Sequence, residues 1–93
     1  YIVNTMIELS TNNHKIINNK FNSTTSRDCI KIRNGVGNVL IEKNSYTLPN
    51  TMFVNVEGYN PGALKDVNDI SIINNIGTSK YFLTALGEGL INI

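Results

Sequence analysis

A chain of 93 residues with a formal charge of +1 has room for one small domain. Its hydrophobic share of 41% supports a packed core rather than disorder, and its charged share of 16% contains no run of Lys or Arg. That balance excludes a protein held to nucleic acid mainly through phosphate contacts, and one cysteine, Cys29, excludes an internal disulfide or a cysteine-built zinc cage.

The first expected element is a helix from Tyr1 to about Phe21, with residues 1–24 as its outer limit. Val3, Ile7, Ser10, His14, Ile17 and Phe21 recur at alternating spacings of four and three, with Ile2, Met6, Leu9 and Ile16 on the adjoining stripe. Asn4, Glu8, Thr11, Lys15, Asn18 and Asn19 take the other side. The weak helix formers Ser10–His14 allow a break. His14, near the apolar stripe, reads as a partly buried structural histidine, because no second ligand is spaced to join it.

Residues 28–93 read as a β-region. Asp28–Arg33 alternates, with Ile30 and Ile32 on one side and Lys31 and Arg33 on the other. Asn34-Gly35 is a hairpin signal, and Asn38–Lys43 is the expected returning strand. Lys31, Arg33, Glu42 and Lys43 then form a charged, solvated sheet face. Pro49 lacks a ladder donor, so the next strand, Thr51–Val56, is expected to begin after it. Glu57–Asp69 is the longest irregular stretch, with a turn at Asn60-Pro61-Gly62. Asp66, Asn68 and Asp69 are oxygen donors close in sequence and are the candidate calcium ligands. They lack the full loop spacing and the bidentate glutamate of a helix-loop-helix site, and ordinary turn chemistry is the competing reading. Ile70–Ile73, a turn at Asn74–Ser79, Lys80–Leu86, a reversal at Gly87-Glu88-Gly89 and Leu90–Ile93 complete a closing three-stranded unit.

Gly35-Val36-Gly37 lacks the third glycine and the helix of a dinucleotide fingerprint. No serine stands in a nucleophile elbow, and no carboxylate pair is placed for acid–base work. The expectation is a non-enzyme without a cofactor or a small-molecule substrate. Cys29 reads as a small buried apolar residue. No apolar run reaches the ~20 residues of a membrane span.

These elements make an α+β fold: one amphipathic helix packed on an antiparallel meander of about six short strands. Two stretches carry a family resemblance. Tyr46-Thr-Leu-Pro49 followed by Met52–Val56 and Gly58 resembles the Leu-Pro, strand, glycine segment of type IV pilins and pseudopilins. Asp69-Ile-Ser-Ile72 with the stretch Lys80–Ile93 resembles that family's closing hairpin. The small H-type pseudopilins, minor pilins and Gram-positive competence pilins are the most similar members. The resemblance implies a structural subunit of a pilus or of a type II secretion-like filament. Its partners would be other pilin subunits, and it would stand at the cell surface. An N-terminal membrane helix, upstream of Tyr1, is expected to have been removed. Ile2, Met6, Leu9 and Ile17 would pack on Ile30, Ile32, Val54, Ile72, Phe82 and Leu86, and the loop Glu57–Asp69 would contact partners. DNA capture by a competence-type member needs a basic stripe, but the C-terminal strands set only Lys80 against Glu88. The alternative function is a non-enzymatic β-rich adhesin or phage receptor-binding module.

Overall fold

The structure is a computed structural model, and it describes residues 5–58, 66–86 and 90–93, with the side chains of Leu86 and Ile91 excepted. Among the described residues nine strands follow one another: β1 (Thr5–Leu9), β2 (His14–Ile17), β3 (Lys20–Asn22), β4 (Asp28–Ile32), β5 (Gly37–Glu42), β6 (Ser45–Glu57), β7 (Val67–Ile73), β8 (Ile76–Leu86) and β9 (Leu90–Ile91). Among the described residues there is no helix. All seven strand pairings are parallel. One sheet has the order β1-β4-β6-β3, with β8 also on β6, and the other has the order β2-β5-β7-β9.

The registers show how the chain travels. His14 lies beside Val39, and Val39 beside Ile70. Lys20 lies beside Ser45, and Ser45 beside Ile76. Ile30 lies beside Ile7 on one side and Val54 on the other. Each turn of the chain therefore sits on the one before it, visiting three stacks in order. The first stack is β1, β4 and the later halves of β6 and β8. The second is β2, β5, β7 and β9. The third is β3 and the starts of β6 and β8. This is a parallel β-solenoid, in which each coil covers the apolar face of its neighbour. Its shortest dimension, 18 Å, matches about four rungs at the ~4.8 Å strand spacing.

The predicted α+β fold with an N-terminal helix and an antiparallel meander is thus corrected, and the pilin resemblance falls with it. Residues 5–22 are three strands, not a helix. Asn13 and Asn18 hold φ of 67° and 59°, in the left-handed region that a right-handed helix excludes. Each of these corners interrupts the two-residue alternation of a strand, and short strands broken at such intervals imitate a spacing of three and four. Ile, Val and Thr in the same stretch favour extended backbone. The Asn34-Gly35 turn is real, with Gly35 at φ 83°. It joins β4 to β5 in different sheets, so no hairpin forms. The second stretch behind the resemblance also changes meaning: Ile70–Ile73 and Lys80–Leu86 lie in different sheets. Gly87-Glu88-Gly89 lies outside the described residues.

The core is one cluster that includes Leu9, Ile16, Ile30, Ile32, Ile41, Leu48, Val54 and Val56. Leu9, Ile30, Ile32 and Val54 meet the expectation of burial. Met6 and Phe82 are exposed, Ile72 is partly buried, and Ile2 and the Leu86 side chain lie outside the described residues. Neighbouring strand residues face opposite ways, yet Cys29-Ile30 and Phe53-Val54 are fully buried. Both faces of that end of the first stack are therefore covered. Tyr46 stacks on Phe53 at 4.1 Å between ring centroids, and Phe21 and Phe82 flank Phe53 at 6.5 and 5.8 Å. Pro49 sits within β6, at the register shift between Leu48 and Met52, where a missing donor breaks no ladder.

Candidate binding face

Two corners repeat from coil to coil and set the geometry of every outward face. Asn13, Asn38, Asp69 and Asn92 stand in one column at the entry to the second stack, and all have positive φ. Asn38 Nδ2 donates to Asn13 Oδ1 at 2.8 Å, 25 residues away. Asn92 Nδ2 donates to Asp69 Oδ1 at 3.1 Å. Asn18, Lys43 and Asn74 form the second positive-φ column, at the exit from the stack.

Directly after that exit lies an asparagine ladder. Asn44 is buried; its Oδ1 accepts from the Asn19 backbone N–H at 2.9 Å, and its Nδ2 donates to the Ile16 carbonyl at 2.9 Å. Asn75 repeats both contacts one coil on. Its Oδ1 accepts from the Asn44 N–H at 2.9 Å, and its Nδ2 donates to the Ile41 carbonyl at 3.0 Å. A sharp corner leaves backbone groups without ladder partners, and the stacked amides satisfy them.

The corner turns the chain into the third stack. There Phe21 and Tyr46 are buried, and the alternate residues point outward. Lys20, Ser45 and Ile76 make one outward column, and Asn22, Thr47 and Thr78 make the next. All six are exposed. Rungs are about 4.8 Å apart and columns about 6.7 Å apart, so these side chains form a flat grid. Among the described residues, the side chains of Lys20, Asn22, Ser45, Thr47 and Thr78 make no hydrogen bond within the chain. The grid therefore offers uncommitted hydroxyl and amide groups with a single cation.

The outward face of the first stack is different, because its charges are spent on one another. Glu8 lies 3.1 Å from Arg33 and 4.0 Å from Lys31. Glu57 lies 3.4 Å from Arg33 and 3.7 Å from Lys31. The expected charged face of Lys31, Arg33, Glu42 and Lys43 is accordingly split: the first two join this network, and the other two belong to the second stack.

The candidate calcium ligands do not converge. Asp66 is exposed. Asn68 and Asp69 are adjacent in β7, with Asp69 at φ 56°, and they engage different partners. Asn68 Oδ1 lies against Gly37, at a place a Cβ there would occupy. Asp69 is taken up by Asn92. Among the described residues, no three His, Cys, Asp or Glu side chains group to hold a metal ion. His14 is half-buried and shares a 2.6 Å hydrogen bond with Thr11 Oγ1. Cys29 is fully buried, and desolvation pushes its thiol up to about 12. Burial also raises Tyr46, against a smaller lowering by its hydrogen bond with Ser79. Part of the expected partner loop, residues 59–65, lies outside the described residues.

The geometry defines a parallel β-solenoid with a polar outward grid. No known protein family, curated protein or solved structure matches this chain. Among the described residues, no helix is long and apolar enough to cross a membrane.

Proposed function

We propose that this chain is a non-enzymatic binding module, of the adhesin or phage receptor-binding kind, that works outside the cell and presents the outward grid of its third stack to a polyhydroxyl ligand such as a surface glycan. The observation that carries this reading is the grid itself: Asn22, Ser45, Thr47 and Thr78 are exposed and evenly spaced, and their side chains make no hydrogen bond among the described residues. A ladder of backbone hydrogen bonds fixes the spacing, so little order is lost when a ligand with repeated hydroxyls lies across it. Sites on a rigid sheet hold their geometry better than sites on loops. The pilus-subunit reading loses its fold, because a pilin needs an N-terminal helix packed on its sheet and the described residues hold no helix.

A glycan array probed with the intact chain tests the proposal. Binding to a defined set of glycans is expected, and the triple variant Asn22→Ala, Thr47→Ala, Thr78→Ala is expected to weaken it about tenfold or more with an unchanged melting temperature. Lys15→Ala with Ser71→Ala, on the second stack, is the matched control. Equal binding by the triple variant, or hydrolysis of the bound glycan, overturns the reading.

A further inference from the structure

The three segments that build the third side of the solenoid, residues 18–27, 43–51 and 74–81, hold four of the chain's eight Lys and Arg and none of its seven Asp and Glu. Lys20 is a member of the outward grid. Lys43 is exposed at the corner that opens this side, and Lys80 is exposed on β8, on the same face as Thr78. Among the described residues these three lysines make no salt bridge, and Lys80 Nζ lies near the Tyr81 ring, 5.8 Å from its centroid. Arg27 is the exception, since its guanidinium holds the buried Asp28 carboxylate at 3.2 Å. The other two sides mix their charges. Glu8 and Glu57 neutralise Lys31 and Arg33 on the first, and Lys15 stands with Glu42 and Asp69 on the second. The positive potential of a chain with a formal charge of only +1 is thus gathered on the face whose hydroxyls and amides are also unspent.

Resting on the glycan reading of the grid, we infer that the ligand is an acidic polysaccharide, with carboxylate or sulfate groups set at intervals along a hydroxyl-rich chain. With rungs about 4.8 Å and columns about 6.7 Å apart, Lys20 and Lys80 stand roughly 16 Å from one another on the diagonal of the grid. Lys43 stands near Lys20 at the entry edge, so the neutral hydroxyl field lies between cations. An acidic glycan has the matching pattern, with anions spaced out and neutral hydroxyls between them. Nucleic acid does not: a duplex carries a charge about every 1.7 Å, and this face would leave most of its phosphates unpaired. An ammonium on a flexible stem is a point charge with three donors, so it follows a carboxylate or a sulfate without demanding one geometry. Each exposed contact is weak and screened by salt, so the affinity depends on the three lysines together.

A panel of uronate-, sialic acid- and sulfate-bearing glycans, each set beside its methyl-esterified or desulfated form, tests the charge. The intact chain is expected to bind at least one acidic form about tenfold or more tighter than its neutral counterpart, and to lose that margin as NaCl rises from roughly 50 to 500 mM. Lys20→Gln, Lys43→Gln and Lys80→Gln combined are expected to weaken acidic binding about tenfold with an unchanged melting temperature. Lys20→Arg, Lys43→Arg and Lys80→Arg combined are expected to keep it, and Lys15→Gln, on the second stack, is the matched control. Equal affinity for the acidic and neutral forms overturns the inference and leaves the glycan reading standing. Binding to no glycan overturns both. Undiminished acidic binding by the triple glutamine variant overturns the inference as well. So does a tighter grip on duplex DNA, or on phosphatidylserine vesicles, than on any acidic glycan.

Discussion

Asn44 is the residue whose loss is felt in two coils at once. Removing its amide leaves the Asn19 N–H and the Ile16 carbonyl without partners. A buried group left unsatisfied costs about 1–3 kcal/mol, so Asn44→Ala is expected to lose roughly 2–4 kcal/mol in urea unfolding. Asn19 stands at the first rung and is exposed, and its Nδ2 reaches Ile17 O and Asn44 Oδ1. Asn19→Ala is therefore expected to lose less than about 1 kcal/mol, since water replaces what it made. A comparable loss at both positions would show that the amides contribute only locally. Lys43 is the one exception in its column. Asn18 and Asn74 occupy the same corner at φ 59° and 55°, whereas Lys43 holds 57° with a side chain that gains nothing from it. Lys43→Asn is expected to raise stability by about 0.5–1 kcal/mol, read as a higher urea midpoint at constant slope.

At the scale of the element, β4 shows how a strand covered on both faces answers to pH. Cys29 has a thiol raised from 9.0 to about 12 by desolvation. Between those values the unfolded chain has lost the proton that the folded chain keeps. Stability is therefore full below about pH 9 and falls as pH rises toward 12, with a slope approaching 1.4 kcal/mol per unit from this one group. Tyr46, also raised by burial, acts in the same direction. Urea unfolding at pH 7, 9 and 10.5 is expected to show this decline, and Cys29→Ala is expected to flatten it. An unchanged slope in that variant would remove Cys29 as the cause. The same strand marks how far the sequence could be read. The alternation of Ile30, Ile32, Val54 and Val56 was legible, because a period of two survives within any strand. The partners of those strands were not legible. Parallel stacking pairs residues far apart in the chain, such as Thr5 with Asp28 and Ser45 with Ile76, and the alternation of one strand says nothing about which other strand lies beside it. The readable trace of that stacking was the pair of corners five residues apart: Asn13 and Asn18, Asn38 and Lys43, Asp69 and Asn74. Over Tyr1–Phe21 the three-four spacing of apolar residues outweighed this weaker repeat. The polar grid was equally hidden, since Asn22, Thr47 and Thr78 become neighbours only once the coils are stacked.

At the scale of the molecule, a solenoid has no contacts between distant coils, so its stability is a sum over coils and the surfaces between neighbours. The inner coils hold partners above and below. Ile30 lies between Ile7 and Val54, and Ile41 lies between Ile16 and Ile72. Among the described residues the outer coils have one neighbour each, and β9 is two residues long. Local opening is therefore expected to start at the two ends and reach the middle last. Native-state hydrogen exchange should show the slowest amides in β4, β5 and the later half of β6, with faster exchange in β1 and β9. The gradient should be graded along the axis and not confined to one sheet, because each rung belongs to all three stacks. Uniform protection across the nine strands would mean that the chain opens as one cooperative block. Fastest exchange in β4 would place the weakest interface at the centre, and the coil-by-coil account of its stability would then be wrong.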